Sequence, residues 1–293
     1  MDGLDITLSP EDFKLIRDLI DEHSGIRLPD YTHFIVERRL RPRLLALEVN
    51  GFREYYRHLK YGREIELEMA EIIERITTNE TYFYRESYQL EAFANEVVPD
   101  LLEQRASVGM STELAPIRIW SAGCSTGEEP YTLAMVMNEK YGESRVKYEI
   151  LGNDISRNAI DRANDGLYRE ASFREIEPDL REKYFDSKKN KTQIRDFIRK
   201  NVRFRFGNLM SPETLTGYNY MDVIFCRNVM IYFSKESRKK VLDTFYERLR
   251  PGGYLLLGHS ETIDSSKCKF EFVPLETCLV YRKPRAHEDF GST

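Results

Sequence analysis

The sequence predicts an α/β protein in which a small all-helical domain precedes an open, mainly parallel sheet with helices on both faces. Apolar residues recur at helical spacing over the first 75 residues. Later, short apolar runs alternate with helical stretches, as in parallel sheets. A glycine-bearing loop, Ser121–Pro130, joins one run to a helix. The predicted units are a helical domain over 1–76, a linker segment and helix over 77–110, the sheet domain over 111–283, and a disordered tail over 284–293.

Composition and charge exclude several classes of protein. The 293 residues are 41% hydrophobic and 32% charged, which is ordinary for a soluble globular chain, and a net charge of −5 does not indicate nucleic-acid binding. No apolar run reaches the roughly 18 residues of a membrane helix, and no secretory signal is visible. The four cysteines share no CxxC spacing, so neither disulfides nor a metal site is expected. We expect a cytoplasmic monomer without membrane insertion.

The N-terminal domain is predicted to contain three main helices. Ser9 and Asp12 match a capping box, and Pro10 suits the first position of a helix. Apolar residues then form three helical series: Phe13, Ile16, Leu19 and Ile20; Phe34, Leu40, Leu44, Leu45 and Leu47; and Ile65, Met69, Ile72, Ile73 and Ile76. Pro42 lies inside the second series and is expected to kink or split that helix.

The sheet domain is predicted to contain seven strands, preceded by a helix over about Tyr88–Arg105. Five runs are assigned to parallel strands and two closing runs to an antiparallel pair: Ile117–Trp120, Tyr148–Asn153, Val202–Phe206, Met221–Cys226 and Tyr254–Leu257, then Lys269–Val273 and Thr277–Arg282. The sequence RPGG at Arg250–Gly253 is expected to form a turn between a helix and the fifth strand.

One connection is too long for a simple crossover between strands. Asp165–Lys200 holds apolar residues around the polar turn SKKNKTQ, which predicts an inserted subdomain of a helix and a hairpin at about 165–202. Residues 181–200 have a net charge of +5 and residues 37–60 a net charge of +4, whereas residues 1–30 have −5. Each basic stretch is either a solvated face or a docking surface for an acidic partner.

The loop Ser121–Pro130 has the position of a cofactor site. Glycines let the backbone approach a ligand, and the amides at the start of the following helix face it. The loop contains Gly123 and Gly127 but is not GxGxxG, and it carries Glu128 and Glu129 where a pyrophosphate would lie. Two carboxylates suit a cationic ligand, which favours S-adenosylmethionine over a dinucleotide. The alternative is a tight turn with exposed acids at the helix start.

Polar residues also follow the other predicted strands. Asp154 ends the second strand and can accept hydrogen bonds from both ribose hydroxyls of a nucleotide. A helix cap is the alternative role, although Ser156 can serve as that cap. Asn208 and Leu209 follow the third strand, where an amide and an apolar side chain can hold adenine, but most such dipeptides are turns.

The fourth strand ends in CRNVMIYF, which starts at Cys226. It places Arg227 and Asn228 at the carboxyl edge of the sheet, where open α/β folds bind ligands. Tyr232 follows and either packs in the core or directs its hydroxyl into the site. Upstream, TTNETYFYRE at Thr77–Glu86 places Arg85 among hydroxyl, amide and aromatic side chains. This composition indicates a polar segment that contacts the ligand from outside the nucleotide-binding core.

Four blocks of the sequence resemble the chemoreceptor glutamate methyltransferase family, CheR. They are TTNETYFYRE, WSAGCSTGEEPYT, NDIS with the downstream GLYR, and FCRNVMIYF with LLLGHSE. The resemblance runs from about Ser9 to Lys283. It implies a class I (Rossmann-like) methyltransferase domain with a mainly parallel seven-stranded sheet and a small inserted β-subdomain.

The resemblance also implies an activity and a set of site residues. Such enzymes use S-adenosylmethionine to convert receptor glutamates to methyl esters, leaving S-adenosylhomocysteine and adjusting chemotactic adaptation. Residues implied to contact the cofactor are Asn79, Thr81, Arg85, Glu129, Asp154, Asn208, Leu209, Arg227 and Asn228. Arg85 and Tyr232 are implied to lie nearest the transferred methyl group.

Receptor docking is implied for the helical domain and the inserted subdomain. The basic docking helix of the family corresponds to Arg38, Arg39 and Arg43, although Pro42 departs from an uninterrupted helix. Two other functions stay open at this point. One is a class I methyltransferase with a different protein acceptor, such as an amide or an amine. An amide acceptor is disfavoured because NVMIY lacks the prolines of an NPPY clamp. The other is a non-catalytic, cofactor-sensing receptor adaptor.

Overall fold

The N-terminal domain is a bundle of four helices around its own apolar core. The computed structural model describes residues 6–63, 65–77, 80–188, 191–263 and 269–285. The helices are α1 (Pro10–Ser24), α2 (His33–Ala46), α3 (Phe52–Tyr61) and α4 (Ile65–Ile76). The predicted cap is confirmed, because the Asp12 N–H donates to Ser9 Oγ at 3.1 Å. Gly25 ends α1 with a φ of +76°.

Helix α2 differs from its prediction in two respects. It continues through Pro42 as one helix, so Pro42 does not split it, and the kink that was the other expected effect stays a prediction. A proline removes one hydrogen bond of the helix, and the burial of Val36, Leu40 and Leu44 along one face favours its continuation. Phe34 and Leu45, predicted to be on the apolar face, are 78% and 61% exposed because they lie on the opposite side.

The second domain is built on a seven-stranded, mainly parallel sheet, as predicted. Its strands are β1 (Ile117–Ala122), β2 (Tyr148–Asp154), β6 (Val202–Phe206), β7 (Met221–Cys226), β8 (Leu249–Leu257), β9 (Glu271–Pro274) and β10 (Leu279–Arg282). Their spatial order is β6-β2-β1-β7-β8-β10-β9. The first five are parallel, and β10 pairs antiparallel with both β8 and β9. RPGG is assigned to β8, but it lies where the pairing of β8 with β7 shifts register, and Gly252 has a φ of +78° there. Pairing with β7 resumes at Tyr254, the predicted first residue of the fifth strand.

Helices cover both faces of this sheet, each over an apolar layer. They are α5 (Ser87–Ala92), α6 (Val98–Ser107), α7 (Glu128–Arg145), α8 (Arg157–Asp165), α10 (Asp196–Arg199) and α11 (Lys235–Arg248). A π-helical turn over Phe93–Val97 joins α5 to α6, so the helix predicted over Tyr88–Arg105 is continuous. Among the described residues, no helix is long and apolar enough to cross a membrane.

The inserted subdomain is a helix and a small antiparallel sheet. Helix α9 (Pro178–Tyr184) leads into β4 (Phe185–Lys188) and β5 (Lys191–Ile194), which form the predicted hairpin. A third strand, β3 (Leu167–Tyr168), pairs with the free side of β5. The ring of Phe83 contacts this subdomain from outside, with its centroid 4.9 Å from that of Phe185. The subdomain therefore packs on the linker segment as well as on the sheet domain.

The helical domain is joined to the carboxyl edge of the large sheet. Ile26 forms an isolated antiparallel bridge with Phe233, and the Arg27 N–H donates to the Tyr232 carbonyl at 2.7 Å. At a second point, Ser156 Oγ donates to the Glu74 carboxylate at 2.7 Å. These contacts place α1 and α4 over the loops that follow the parallel strands, which is where the candidate site lies.

Candidate active site

A cavity of about 490 Å³ lies between the helical domain and the carboxyl edge of the sheet. Ten of the predicted site residues line it: Thr81, Arg85, Gly123, Glu129, Asp154, Asn208, Leu209, Arg227, Asn228 and Tyr232. Asn79 lies outside the described residues. The helical domain supplies part of the wall through Leu28, Val36 and Arg39. This contribution was not predicted, because nothing in the local sequence marks these residues as ligand contacts.

The loop after β1 approaches the cavity with its backbone. Gly123 has a φ of +73°, and a Cβ at this position would lie 2.6 Å from Cγ2 of Val229. The N–H of Gly123 donates to the Asn153 carbonyl at 2.9 Å, which ties the loop to the end of β2. Only glycine meets both the positive φ and the close approach. The loop is therefore held open as part of the cavity wall.

The two glutamates of this loop have different environments. Glu129 lines the cavity and accepts hydrogen bonds from Arg227 Nε and Ser121 Oγ, both at 2.7 Å. Glu128 is turned away and accepts from Ser172 Oγ at 2.9 Å and from the Thr126 hydroxyl. Burial raises the pKa of Glu128, although these hydroxyl contacts partly oppose the shift. Only Glu129 is therefore placed to meet a ligand in the cavity.

Arg227 connects the fourth strand to the linker segment. Its Nη2 donates to the Arg85 carbonyl at 2.8 Å, and its Nε is paired with Glu129. Its Nη1 is buried without a hydrogen-bond partner, as are Ser125 Oγ and Asn228 Oδ1, and all three residues line the cavity. Buried polar atoms are rarely left unpaired in native proteins. These three atoms mark where a polar ligand would complete the site.

Asp154 ends β2 at the floor of the cavity. Its Oδ2 accepts from the Ser125 N–H at 2.8 Å and its Oδ1 from the Ser156 N–H at 2.9 Å. Ser156 is the cap of α8, because its Oγ accepts from the Ala159 N–H, so Asp154 is not needed as that cap. Burial raises the pKa of Asp154, opposed by the two backbone donors. A carboxylate has about four lone-pair sites, so two stay available for ligand hydroxyls.

Asn208 lines the cavity but also has partners within the protein. Its Nδ2 donates to the His23 carbonyl at 2.7 Å, and its Oδ1 accepts from the Met210 N–H at 2.9 Å. The side chain therefore links the helical domain to the loop after β6. Leu209, which is also buried, lines the same part of the cavity. A contact of these two residues with adenine stays a prediction.

Glu261, the last residue of LLLGHSE and one with no predicted role, holds the loop after β7. Its Oε2 accepts from the Asn228 N–H at 2.7 Å and from the Gly258 N–H at 2.8 Å, while its Oε1 accepts from the Ile231 N–H at 3.1 Å. Asn228 has a φ of +60°, a conformation that asparagine adopts more readily than most residues. Glu261 thus fixes the backbone that carries Asn228 and Tyr232.

Arg85 and Tyr232 lie at the mouth of the cavity. Tyr232 ends a short 3-10 turn and is 45% exposed. The Nη1 of Arg85 donates to the Glu80 carbonyl at 3.1 Å, and its guanidinium carbon lies 5.7 Å from the centroid of the Tyr82 ring. Both side chains can therefore meet a group that enters from solvent.

The three arginines predicted to form one docking face do not share an environment. Arg38 is exposed, whereas Arg39 lines the cavity and donates to the Ile76 carbonyl at 2.8 Å. Arg43 pairs with the buried Glu68, with 3.0 Å between Nε and Oε1, and Tyr55 donates to the same carboxylate. Of the three, Arg38 alone is free to meet a partner, so the prediction for Arg39 and Arg43 is not supported by the geometry.

Fold and site together define a class I (Rossmann-like) methyltransferase with a helical domain over its cofactor edge. The family model of the CheR methyltransferase SAM binding domain matches residues 79–279, and that of the CheR methyltransferase all-alpha domain matches residues 11–77. The chain belongs to the CheR methyltransferase family, and the predicted family and cofactor, S-adenosylmethionine, are confirmed.

The chain is similar over most of its length to two chemotaxis protein methyltransferases. It is 35% identical over 282 residues to chemotaxis protein methyltransferase 2 of Vibrio cholerae, covering 96% of this chain and 95% of that relative. It is 36% identical over 270 residues to the chemotaxis protein methyltransferase of Borreliella burgdorferi, covering 90% and 93%. The solved magnesium protoporphyrin IX methyltransferase of Synechocystis PCC 6803 is 13% identical over 65% of this chain and 77% of that chain, with a TM-score of 0.32, too low to carry an argument.

The residues around the cavity fit S-adenosylmethionine. The unpartnered Nη1 of Arg227 suits the carboxylate of the methionine part, and the unpartnered Oδ1 of Asn228 suits its ammonium group. Asp154 has lone pairs available for the ribose hydroxyls. No cluster of histidine, cysteine, aspartate or glutamate that could hold a metal ion is found in the described part of the chain.

Proposed function

We propose that this protein transfers the methyl group of S-adenosylmethionine to glutamate side chains in the cytoplasmic region of chemotaxis receptors. The products are glutamyl methyl esters and S-adenosylhomocysteine, and the reaction would adjust receptor signalling during adaptation. The relatives support the partner, since both are named chemotaxis protein methyltransferases and match nearly the whole chain. A cytoplasmic, monomeric protein is consistent with this role and stays a prediction.

The observation that carries the glutamate assignment is the lack of a histidine, a lysine or a carboxylate without partners among the described residues that line the cavity. Among the described residues that line the cavity there is no histidine or lysine. Its three carboxylates are engaged: Glu80 with Arg174, Glu129 with Arg227, and Asp154 with two backbone N–H groups. Burial raises the pKa of the Cys124 thiol well above its ordinary value, so that group is not a base either.

A glutamate acceptor needs no base, because its ordinary pKa of about 4.3 leaves it ionised at neutral pH. Bound S-adenosylmethionine supplies a methyl group on a positively charged sulfur. The protein must then position the acceptor and exclude water. Arg85 is placed to orient the carboxylate of the entering glutamate. Tyr232 is placed to hold an oxygen of that carboxylate or to contact the edge of the cofactor. Glu129, paired with Arg227, fixes the arginine that would bind the methionine carboxylate.

Two surfaces are proposed to dock the receptor. Arg38 is the exposed basic residue on α2, and the hairpin of β4 and β5 lies in the stretch 181–200, whose net charge is +5. Both can attract an acidic receptor helix. Arg39 and Arg43 are left out of this surface because of their contacts within the protein.

Incubation of receptor cytoplasmic fragments with labelled S-adenosylmethionine tests the proposal. Mass spectrometry should locate the label on glutamate side chains, and mild alkali should release it, because esters hydrolyse where methylamines do not. Fragments with the labelled glutamates replaced by alanine serve as the control. Label that survives alkali would favour a different acceptor, and tight binding of receptor and cofactor without transfer would favour the adaptor.

A further inference from the structure

Arg174, at the start of the inserted subdomain, reaches the segment that carries Arg85. Its guanidinium carbon lies 3.7 Å from the centroid of the Tyr82 ring, and its Nη2 lies 3.0 Å from Oε1 of Glu80. Arg85 contacts the same two residues, through the Tyr82 ring and the Glu80 carbonyl. Two arginines from different parts of the chain therefore contact the same aromatic ring and the same glutamate.

Contacts that do not involve Arg174 hold this segment in place. The Phe83 N–H donates to the Ser172 carbonyl at 2.9 Å, and the buried Phe83 ring stacks on Phe173 with centroids 5.3 Å apart. These contacts already join the segment to the inserted subdomain. The side chain of Arg174 is 44% exposed, and ion pairs at such sites add little stability. Its contacts instead involve Tyr82 and Glu80, which also contact Arg85.

We propose that Arg174 is a positioning residue for methyl transfer, holding Tyr82 and Glu80 so that the Arg85 guanidinium keeps one orientation at the mouth of the cavity. The inference rests on the proposed function. An arginine side chain carries about 2 kcal/mol of rotamer entropy, and a displaced catalytic group loses much of its effect. A fixed Tyr82 ring and Glu80 carbonyl reduce the freedom of Arg85 before the acceptor enters.

Substitution of Arg174 tests this role against a matched control. Arg157 is also exposed and stacks on an aromatic ring, with 4.0 Å to the centroid of Phe206, but that ring, unlike Tyr82, is not among the described residues that line the cavity. We expect Arg174→Ala to lower kcat on a receptor fragment about tenfold, within the roughly hundredfold that a 1 Å misplacement can cost. Cofactor Kd should stay within twofold. Arg157→Ala should keep kcat near that of the wild type, with a similar melting temperature.

Two further variants separate positioning from a general structural effect. Arg174→Lys keeps the charge but loses the planar stacking group, so kcat should fall between those of the wild type and Arg174→Ala. If Arg174 acts through Arg85, adding Arg174→Ala to Arg85→Lys should lower kcat little further.

The outcomes distinguish the two proposals. The positioning role would be overturned if Arg174→Ala and Arg157→Ala had equal kcat values, or if the two losses of kcat multiplied in the double variant. Either result would leave the proposed function intact. A wild-type protein that binds S-adenosylmethionine and forms no methyl ester on any receptor fragment would remove the proposed function and the inference with it.

Discussion

Replacement of Asp154 by alanine is the most direct test of the cofactor site. The change removes the acceptor proposed for the ribose hydroxyls and leaves the N–H groups of Ser125 and Ser156 without their partner at 2.8 and 2.9 Å. A lost hydrogen bond to a charged group costs about 2–3 kcal/mol, which weakens cofactor binding roughly 30- to 150-fold. Titration calorimetry with S-adenosylmethionine and S-adenosylhomocysteine measures this loss directly.

The same substitution also affects the folded state, so stability must be measured beside affinity. Each buried N–H left unpaired costs about 1–3 kcal/mol, and removal of a buried carboxylate offsets part of this. Asp161→Ala, at an exposed position of α8, is the control and should change neither quantity. A folded Asp154→Ala variant that binds both ligands within twofold of the wild type would refute the assignment of Asp154 to the site.

Other substitutions test the site and its surroundings. Burial raises the pKa of Asp154, so its carboxylate should take up a proton at a pH above the ordinary aspartate pKa of about 3.9. Cofactor affinity should therefore be highest at neutral pH and decrease as the pH falls towards that range. Calorimetry on Asp154→Asn should show weak affinity that does not decrease in this way. Tyr232→Phe should lower kcat and leave cofactor Kd nearly unchanged, and Arg85→Lys should lower kcat more. Steady-state kinetics measures kcat, and calorimetry measures Kd. Loss of cofactor binding in Tyr232→Phe would make the tyrosine part of the binding pocket. Arg38→Glu should raise the receptor KM at low salt without changing the melting temperature. Arg43→Glu should destabilise the helical domain by about 3–5 kcal/mol in denaturant unfolding, because the buried carboxylate of Glu68 loses its cationic partner.

The parts of the site that the sequence could predict are those with local signals. The alternation of strands and helices predicted where the strands end. Because Asp154 lies at one of these ends, it was predicted to be at the carboxyl edge of the sheet. Gly123 was predicted because a close backbone approach needs glycine, and its positive φ and the nearness of Val229 agree with that reason. Both predictions depended on residues within one strand–loop–helix unit.

The parts that could not be predicted depend on distant partners. Arg43 looked like part of a basic surface, but Glu68, 25 residues further on, is buried beside it. Glu261 organises three backbone N–H groups, and no local pattern distinguishes it from an exposed acid. The amide of Asn208 is directed partly by the His23 carbonyl in another domain. Such roles are set by tertiary contacts, which sequence periodicity does not record.

Four residues in the segments around the cavity have a backbone conformation that is unfavourable for residues other than glycine. Tyr84, Glu86, Ser125 and Asn228 all have positive φ values, between +49° and +61°, in the segments that surround the cavity. Residues other than glycine in this region cost roughly 1–3 kcal/mol each and persist where neighbouring contacts hold them. Here the contacts are visible: the Tyr84 N–H donates to the Thr132 hydroxyl at 3.2 Å, and the Asn228 N–H to Glu261 at 2.7 Å. Because these contacts come from sequence-distant segments, the orientation of the site residues depends on the complete fold.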